Sequence, residues 1–297
     1  MLKEYPLILM EGAIVERVRH ESKEALHPRL VNALLIYTET GRKLMESLYR
    51  EYLDIAREAA LPMILCSPTW RANRERVSAG RAPEQINRDN IRFLKELAAQ
   101  YPQVPVRIGG MLGCRNDCYK AHEALTAEEA EDFHIWQIEE LSRGGADFLI
   151  AETLPAVSEA LGLGRAMRRS TLPYILSFTI DRTGRVLDGT LLSEAIRYLD
   201  TQLDGAPLGY MVNCAYPTFL NIAAQDKRAL QRLIGFQANA SDLDQCDLDG
   251  SCELHANPVD AWGQAMRIIH RKAGVPILGG CCGTNGAHIR YLAKILK

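Results

Sequence analysis

The sequence lacks a long apolar run, a strong net charge and a low-complexity linker. None of its hydrophobic stretches approaches the roughly 20 residues of a transmembrane helix, and its first residues carry no hydrophobic signal-peptide core. The formal net charge is only −2, so the chain has no basic footprint for nucleic acid or for an anionic membrane. We therefore expect a cytoplasmic protein that binds neither nucleic acid nor membranes.

The chain does have ample hydrophobic content, 47% of 297 residues, and eight cysteines. Without a secretory signal, cysteines serve metal binding or chemistry more often than disulfides. No Cys-x-x-Cys pair occurs in the sequence, which disfavours a thiol redox protein. The cysteines are therefore the first place to look for a functional site.

Short apolar runs alternate with longer amphipathic stretches about eight times along the chain. Strands that alternate with helices indicate a parallel sheet, and eight such units indicate a closed barrel. We predict an α/β fold, a (β/α)8 TIM barrel in which residues 1–297 form a single domain. The predicted strands are Leu7–Met10, Pro62–Cys66, Val104–Leu112, Phe148–Ala151, Tyr174–Thr179, Leu208–Val212, Leu233–Phe236 and Val275–Leu278. The main predicted helices are Leu44–Ala60, Gln85–Gln100, Ala127–Arg143, Val157–Arg169, Leu191–Leu203, Pro258–Lys272 and Ala287–Leu296.

Two adjacent cysteines follow the last predicted strand, in the segment Gly279–Thr284 (GGCCGT). Neighbouring residues of an extended strand point to opposite faces, so both thiols can face one ion only if the backbone turns sharply. The flanking glycines permit such a turn. Cys214 closes the sixth predicted strand in the same way, and in a (β/α)8 barrel the strand ends that carry all three thiols share one rim.

Three thiolates from two strand ends would suit zinc, with one coordination position open for a substrate. Two other interpretations of the residues stay open at this point. Isolated cysteines are most often buried packing residues, and Cys281 and Cys282 could instead form a strained vicinal disulfide.

The segment Gly279–Thr284, together with Val212–Cys214 upstream, resembles the zinc-site signature of the homocysteine S-methyltransferase family. The segment Phe148–Pro155 resembles the fourth-strand motif of the same family. The resemblance implies that Cys214, Cys281 and Cys282 bind Zn²⁺, and that the metal binds the thiol of homocysteine. It also implies a (β/α)8 barrel, in agreement with the pattern of runs.

The resemblance further implies which residues contact the substrate. Glu152 matches the glutamate that holds the amino group of homocysteine in the family. Glu11 and Gly12 match the first-strand segment, although an Asp is usual where Glu11 stands. Asn239 follows the seventh strand, where the family has a Pro-Asn stretch, and Thr69 survives from a Thr-Asn-Thr-Tyr stretch after the second strand.

Other candidates carry weaker signals. Cys114 and Cys118 have a helical spacing but no helical pattern around them, so we interpret them as free thiols. Cys246 and Cys252 have no standard zinc spacing and lie in an acidic loop. His134 and His288 are interpreted as surface residues or as supports behind the site, because the histidines show no metal-ligand spacing. Trp70 is a candidate for the wall of the substrate pocket.

The predicted function is transfer of a methyl group from a small sulfonium donor, S-methylmethionine or S-adenosylmethionine, to homocysteine, giving methionine. A small free donor is favoured over a protein-borne one because no cobalamin or folate domain accompanies the barrel in this chain. Among small donors, a sulfonium is favoured over betaine because it is the better leaving group. The alternatives are the same chemistry on another thiol or selenol, or a zinc-binding barrel without catalysis. The sequence makes no prediction of oligomeric state.

Overall fold

Eight parallel strands close into one barrel in the computed structural model of the protein, which describes residues 4–248 and 255–297. Each strand pairs with the next in chain order, and β8 returns to pair with β1. The predicted (β/α)8 barrel is confirmed. The strands are β1 (Ile8–Met10), β2 (Met63–Cys66), β3 (Val106–Gly113), β4 (Phe148–Leu154), β5 (Tyr174–Phe178), β6 (Gly209–Ala215), β7 (Leu233–Ala238) and β8 (Ile277–Gly280).

All eight predicted strands form, with bounds that differ mainly at their C-terminal ends. β4 runs to Leu154 and β6 to Ala215, three residues beyond the apolar runs that predicted them. Polar residues such as Asn213 continue these strands because the barrel rim satisfies their side chains with hydrogen bonds. Glu152 and Cys214 are therefore part of their strands rather than of the loops that follow.

Helices connect the strands and cover the outside of the barrel. The sequence signals for α5 are confirmed, since Thr126 and Glu129 form a capping box and Gly145 ends the helix in a left-handed conformation. Four short helices, α1, α3, α8 and α9, were not predicted. The first two each bury a single apolar side chain and have no amphipathic pattern, and the last two are only four residues long. The helices are α1 (Val15–Glu21), α2 (Glu39–Ala59), α3 (Arg74–Ala79), α4 (Ile86–Ala98), α5 (Ala127–Gly144), α6 (Val157–Arg168), α7 (Leu192–Gln202), α8 (Lys227–Leu230), α9 (Gln245–Leu248), α10 (Val259–Ile268, continued by a π-helical turn over Ile269–Ala273) and α11 (Gly286–Leu296).

The core has the two layers expected of this architecture. Alternate strand residues point into the barrel, where Ile8, Met10, Ile150, Met211 and Ile277 belong to one buried cluster. The residues between them point outward and pack against the helices in a larger cluster. Within the described part of the chain, no helix combines the length and apolarity needed to cross a bilayer.

Candidate metal and substrate site

Three cysteine sulfurs meet at the C-terminal rim of the barrel. Cys214 lies at the end of β6, and Cys281 and Cys282 follow directly after β8. The three sulfur atoms all lie within 4.8 Å of one another. Across residues 4–248 and 255–297, this is the one group of three or more His, Cys, Asp or Glu side chains close enough to share a metal ion. Of the other cysteine pair considered above, Cys252 and the side chain of Cys246 lie outside the described residues.

The backbone turns sharply at both ends of this cluster. Cys214 has a φ of 53°, in the left-handed region that residues with a side chain seldom adopt. After β8, Gly283 has a φ of 77°, and the Thr284 hydroxyl closes the turn by donating to the Cys281 carbonyl at 2.6 Å. A Cβ on Gly280 would lie 2.2 Å from that hydroxyl oxygen, so glycine is required for this close approach. The predicted turn is what lets both adjacent thiols face the cluster.

The three thiols are free, and they share hydrogen bonds. The sulfurs of Cys214 and Cys281 are 2.7 Å apart, longer than a disulfide bond of about 2.05 Å. Hydrogen bonds from Cys281 and Cys282 hold the pKa of Cys214 well below its usual range. The same contacts raise the pKa values of Cys281 and Cys282. The cluster therefore holds one negative charge readily, and a cation would favour ionisation of the other two thiols.

The donor set fits a soft, tetrahedral metal ion. Zinc lies about 2.3 Å from each thiolate ligand, which places the sulfurs of a tetrahedral site roughly 3.8 Å apart. That separation is within the 4.8 Å span of the cluster, although Cys214 and Cys281 would have to part from their present contact. Three protein ligands leave one position free, the arrangement typical of catalytic rather than structural zinc.

Two buried carboxyl groups line the same cavity. Glu11 directly follows β1 and Glu152 lies in β4; they are 4% and 6% exposed, respectively. One oxygen of Glu11 accepts a hydrogen bond from the backbone N–H of Cys66 at 2.8 Å. Among the described residues, Glu11 Oε2 and Glu152 Oε1 are buried without any hydrogen-bond partner. Buried oxygens of this kind are rare unless a ligand completes them.

Burial dominates the ionisation of both carboxyl groups. It raises the pKa of Glu11 to about 8. It raises the pKa of Glu152 well above its usual range, and the nearby charge of Glu11 adds to the effect. Cys66 lies between them, and burial raises the pKa of its thiol as well. A cation entering between Glu11 and Glu152 would reverse these shifts, because it favours the ionised carboxylates.

Asn213 joins the strand that carries Glu152 to the strand that carries Cys214. Its side-chain oxygen accepts hydrogen bonds from the Thr153 N–H at 2.8 Å and from the Ser177 hydroxyl at 2.7 Å. Its amide nitrogen donates to the Thr153 hydroxyl at 2.7 Å and to the Cys214 sulfur at 3.5 Å. Thr153 has a φ of 59°, so this one amide holds two residues in left-handed conformations. No sequence pattern marks this role beyond the position of Asn213 beside Cys214.

Of the other three residues predicted to contact the substrate, Gly12 and Asn239 line the cavity and Thr69 does not. Gly12 lines the cavity, and a Cβ there would lie 2.8 Å from the Tyr52 hydroxyl oxygen. Asn239 also lines it and has a buried side-chain oxygen without a partner in the described part of the chain. Thr69 instead lies behind the wall, fully buried, where its hydroxyl donates to the Met111 carbonyl at 2.7 Å. Its contacts make Thr69 a support for the wall.

Trp70 and Tyr119 stand on loops over the cavity and line it. The Trp70 indole donates to the Glu152 carbonyl at 3.4 Å, and the Arg71 guanidinium stacks 4.1 Å from its ring centre. One face of Trp70 is therefore already covered by a cation. Tyr119 contacts Cys214, and its hydrogen bond contributes to the lowered pKa of that thiol. Tyr119 was missed because it lies in the loop after β3, where no pattern marks it.

The cavity that holds these groups has a volume of about 710 Å³. Its floor carries the two glutamates and the three cysteines, and its walls come from loops after β1, β2, β3 and β7. A cavity of this size accommodates two small molecules of amino-acid size at once. The floor therefore brings the two carboxyl groups and the three thiols into one cavity.

His134 and His288 support the fold around the site. Of the two interpretations given above, a surface position is wrong: the two histidines are 0% and 4% exposed, because His134 packs against α6 and His288 against α10. His134 contacts the buried Glu159 at 3.3 Å. The two carboxylate oxygens of Glu159 accept from the backbone N–H groups of Arg115, at 2.9 Å, and Leu125, at 3.3 Å. This carboxylate thus closes the loop that carries Tyr119.

His288 and the cysteines of that loop have no role in the metal cluster. His288 completes a capping box with Asn285 at the start of α11, and burial lowers its pKa to about 4. Cys114 and Cys118 are buried free thiols, as predicted.

The chain matches known proteins along nearly its whole length. The homocysteine S-methyltransferase family model matches residues 8–296. The homocysteine S-methyltransferase YbgG of Bacillus subtilis is 24% identical over 99% of this chain and 95% of that protein. The S-methylmethionine–homocysteine S-methyltransferase of Pongo abelii is 28% identical, over 62% of this chain and 53% of that protein, so the match spans about half of that relative.

A solved structure has the same fold. The metallated homocysteine methyltransferase MmuM of Escherichia coli superposes with a TM-score of 0.72 at 20% identity, covering 99% of this chain and 97% of that one. The family model matches the sequence from the first residue of β1 to the last residue of α11. The family assignment therefore rests on the sequence and not on the fold alone. This chain belongs to the homocysteine S-methyltransferase family, a family of methyltransferase enzymes.

Proposed function

We propose that this enzyme transfers a methyl group from a small sulfonium donor to the thiol of homocysteine, with Zn²⁺ held by Cys214, Cys281 and Cys282. The observation that carries the proposal is the position of two unpaired carboxyl oxygens and three thiols in one cavity. Homocysteine has the matching pair of groups, an ammonium and a thiol. Its product would be methionine.

The sulfur end of the substrate belongs at the cysteine cluster. When bound there, Zn²⁺ supplies a Lewis acid that lowers the pKa of a coordinated thiol. The protein contributes the fixed left-handed turn at Cys214 and the close glycine packing after β8, which keep the three sulfurs on one side. The open side of the cluster faces the cavity.

The amino end of the substrate belongs between Glu11 and Glu152. An ammonium has three N–H donors, and the two unpaired oxygens supply acceptors at the cavity floor. Binding there would convert two costly buried acids into ion pairs. Gln237 and Asn239 add side-chain oxygens that lack partners in the described residues and face the same cavity.

The reaction itself needs alignment more than it needs protein acid or base groups. The substrate sulfur attacks the methyl carbon, a new S–C bond forms, and the bond between that carbon and the donor sulfonium breaks. The electron pair of the broken bond stays on the donor sulfur, and the thiol proton goes to solvent. Holding the two sulfurs in line across the methyl group is a positioning task, for which binding two substrates in one cavity is suited.

Two observations support a sulfonium donor: the quality of the leaving group it releases, and the donor named for one relative. The neutral thioether that departs is a better leaving group than the amine from betaine. The Pongo abelii relative is named for S-methylmethionine. S-adenosylmethionine belongs to the same chemical class and is the second donor to test.

The first prediction concerns the metal. Purified protein should contain about one zinc per chain, and Cys282→Ser should lose the metal and the activity because two thiolates hold zinc far more weakly. Metal content by mass spectrometry and a methionine-forming assay provide the measurements. Cys114→Ser is the matched control, a buried free thiol outside the cluster, and should keep both. Full zinc content in Cys282→Ser would contradict the ligand assignment.

The second prediction concerns Glu152. Glu152→Gln should weaken homocysteine binding by roughly tenfold to a hundredfold, the loss expected for a charge-assisted hydrogen bond of about 1.5–3 kcal/mol. Isothermal titration of the zinc-loaded protein measures this, and the zinc content should not change. Glu123→Gln removes the same charge from another residue of the cavity wall and should bind homocysteine normally. Equal affinities in the wild type and Glu152→Gln would make Glu152 a structural group.

The third prediction concerns pH. Because burial raises the pKa of Glu11 from 4.5 to about 8, the unfolded chain loses this proton at a lower pH than the folded one. The free energy of unfolding of the metal-free, ligand-free protein should therefore fall as pH rises between about 4.5 and 8. Glu11→Gln lacks this proton, so between about pH 5.5 and about pH 7.5 it should gain about 1–2 kcal/mol relative to the wild type. Urea unfolding at the two pH values measures the difference, and a difference that does not change with pH would argue against the raised pKa.

The fourth prediction concerns the donor. The zinc-loaded enzyme should form methionine from homocysteine with S-methylmethionine or S-adenosylmethionine, and little with betaine. Product formation with isotope-labelled methyl groups distinguishes the three donors. Efficient turnover with betaine, or none with either sulfonium at full zinc content, would overturn this choice of donor. In the second case, a screen of other thiols and selenols tests the alternative substrates.

A further inference from the structure

The loop after β2 and helix α3 form part of the cavity wall, and two arginines there line the cavity. Arg71 follows Trp70 in that loop, and Arg76 lies in α3. Both are half-buried, so neither guanidinium is fully hydrated. They belong to the wall, whereas the glutamates and the cysteines form the floor. The proposed roles of zinc, Glu11 and Glu152 leave these arginines unused.

In the part of the chain that the structure describes, each guanidinium donates only to backbone carbonyls. Arg71 Nη1 donates to the Asn116 carbonyl at 2.6 Å and more weakly to that of Cys114 at 3.4 Å. Arg76 donates to the carbonyls of Arg29, at 3.4 Å, and Arg115, at 3.3 Å. A guanidinium has five N–H donors, and long contacts of this kind leave most of that capacity at Arg76 unused. Throughout residues 4–248 and 255–297, neither arginine forms an ion pair within 4.0 Å.

Two acids near the pair have ion-pair partners of their own. Asp117 is bound to Lys120 at 3.2 Å and accepts the Tyr119 N–H. Glu75, next to Arg76 in sequence, pairs with Arg115 at 3.2 Å. The charge of Asp117 still acts on Arg71 and that of Glu75 on Arg76, but neither acid forms an ion pair with these two arginines.

The two positive charges also act on each other. The pKa of Arg76 is lowered by burial and, next, by the positive charge of Arg71. Holding two cations side by side and partly out of water is unfavourable unless an anion joins them. Paired guanidinium forks match the flat, two-oxygen shape of a carboxylate.

We propose that Arg71 and Arg76 form a carboxylate-binding site on the cavity wall, and that it takes the carboxylate of the methyl donor. The assignment to the donor rests on the proposed function, in which homocysteine occupies the floor through its ammonium and its thiol. The guanidinium of Arg76 contacts the carbonyls of Arg29 and Arg115, in the segments after β1 and β3 that form the wall. It thus lies on the part of the cavity that the proposed position of homocysteine leaves free.

The test compares each substrate with its carboxamide, which is neutral where the acid is charged. Titration calorimetry on the zinc-loaded enzyme gives the affinities of S-methylmethionine and S-methylmethionine amide, each without homocysteine. The wild type should bind the acid about tenfold more tightly than the amide, the lower end for a charge-assisted contact at a half-exposed site. Arg76→Gln should lose this preference, and Arg76→Lys, which keeps the charge, should retain part of it.

Two controls separate the site from general effects of charge. Arg74→Gln removes the same charge from the same helix, at an exposed residue that does not line the cavity, and should keep the wild-type preference. Homocysteine and homocysteine amide, measured in the same way, show which substrate uses the arginines. Their ratio of affinities should be the same in the wild type and in Arg76→Gln.

The outcomes distinguish this inference from the proposed function. If Arg76→Gln keeps the preference for the acid in both substrates, the carboxylate site is overturned while the methyl transfer stands. If the preference is lost for homocysteine alone, the arginines bind the thiol substrate and the assignment to the donor is overturned. If the wild type binds no sulfonium but still forms methionine from another donor, the choice of donor fails, and the assignment of the arginines to a sulfonium amino acid fails with it.

Discussion

The side-chain amide of Asn213 is the contact on which the geometry of the site depends. It bonds both the backbone and the hydroxyl of Thr153, and it also reaches the sulfur of Cys214. Thr153 and Cys214 both have positive φ, a conformation that costs about 1 kcal/mol or more for residues with a side chain. Because one amide stabilises both, the carboxylate of β4 and the thiol of β6 keep a fixed relation. The rest of the barrel presents these two strand ends to the same cavity.

The floor of the cavity brings together polar groups whose burial is unfavourable unless a ligand pairs with them. Two acids are buried with unpaired oxygens, and three thiols crowd within one small volume. Such arrangements persist where the surrounding fold stabilises them, and they are typical of binding sites. A cation at the sulfurs and an ammonium between the acids would relieve both problems. In the proposed function, substrate binding would consist largely of completing contacts that the folded chain leaves open.

Sequence reasoning reached the strands, the cysteines and the wall residue Trp70, but not the rest of the cavity wall. The apolar runs predicted every strand, because parallel barrel strands are buried on both faces, and the glycines around Cys281 marked a turn. Tyr119 and Arg76 were missed, since a loop and a six-residue helix carry no periodic signal. For His134 and His288 the choice between a surface position and a supporting one stayed open, because polarity alone does not show that a histidine has a buried partner. The position of Thr69 behind the wall follows from hydroxyl contacts that no pattern reveals.

The buried carboxylate of Glu159 has a consequence for how the cavity wall behaves. It holds the backbone at Arg115 and at Leu125, the two ends of the segment that carries Tyr119. Tying both ends of a segment to one buried group removes much of its freedom, since the entropy of closing the loop is already lost on folding. The wall is thus ordered before any ligand arrives, and binding need not supply that order. A residue that touches no ligand sets how well prepared the cavity is to receive one.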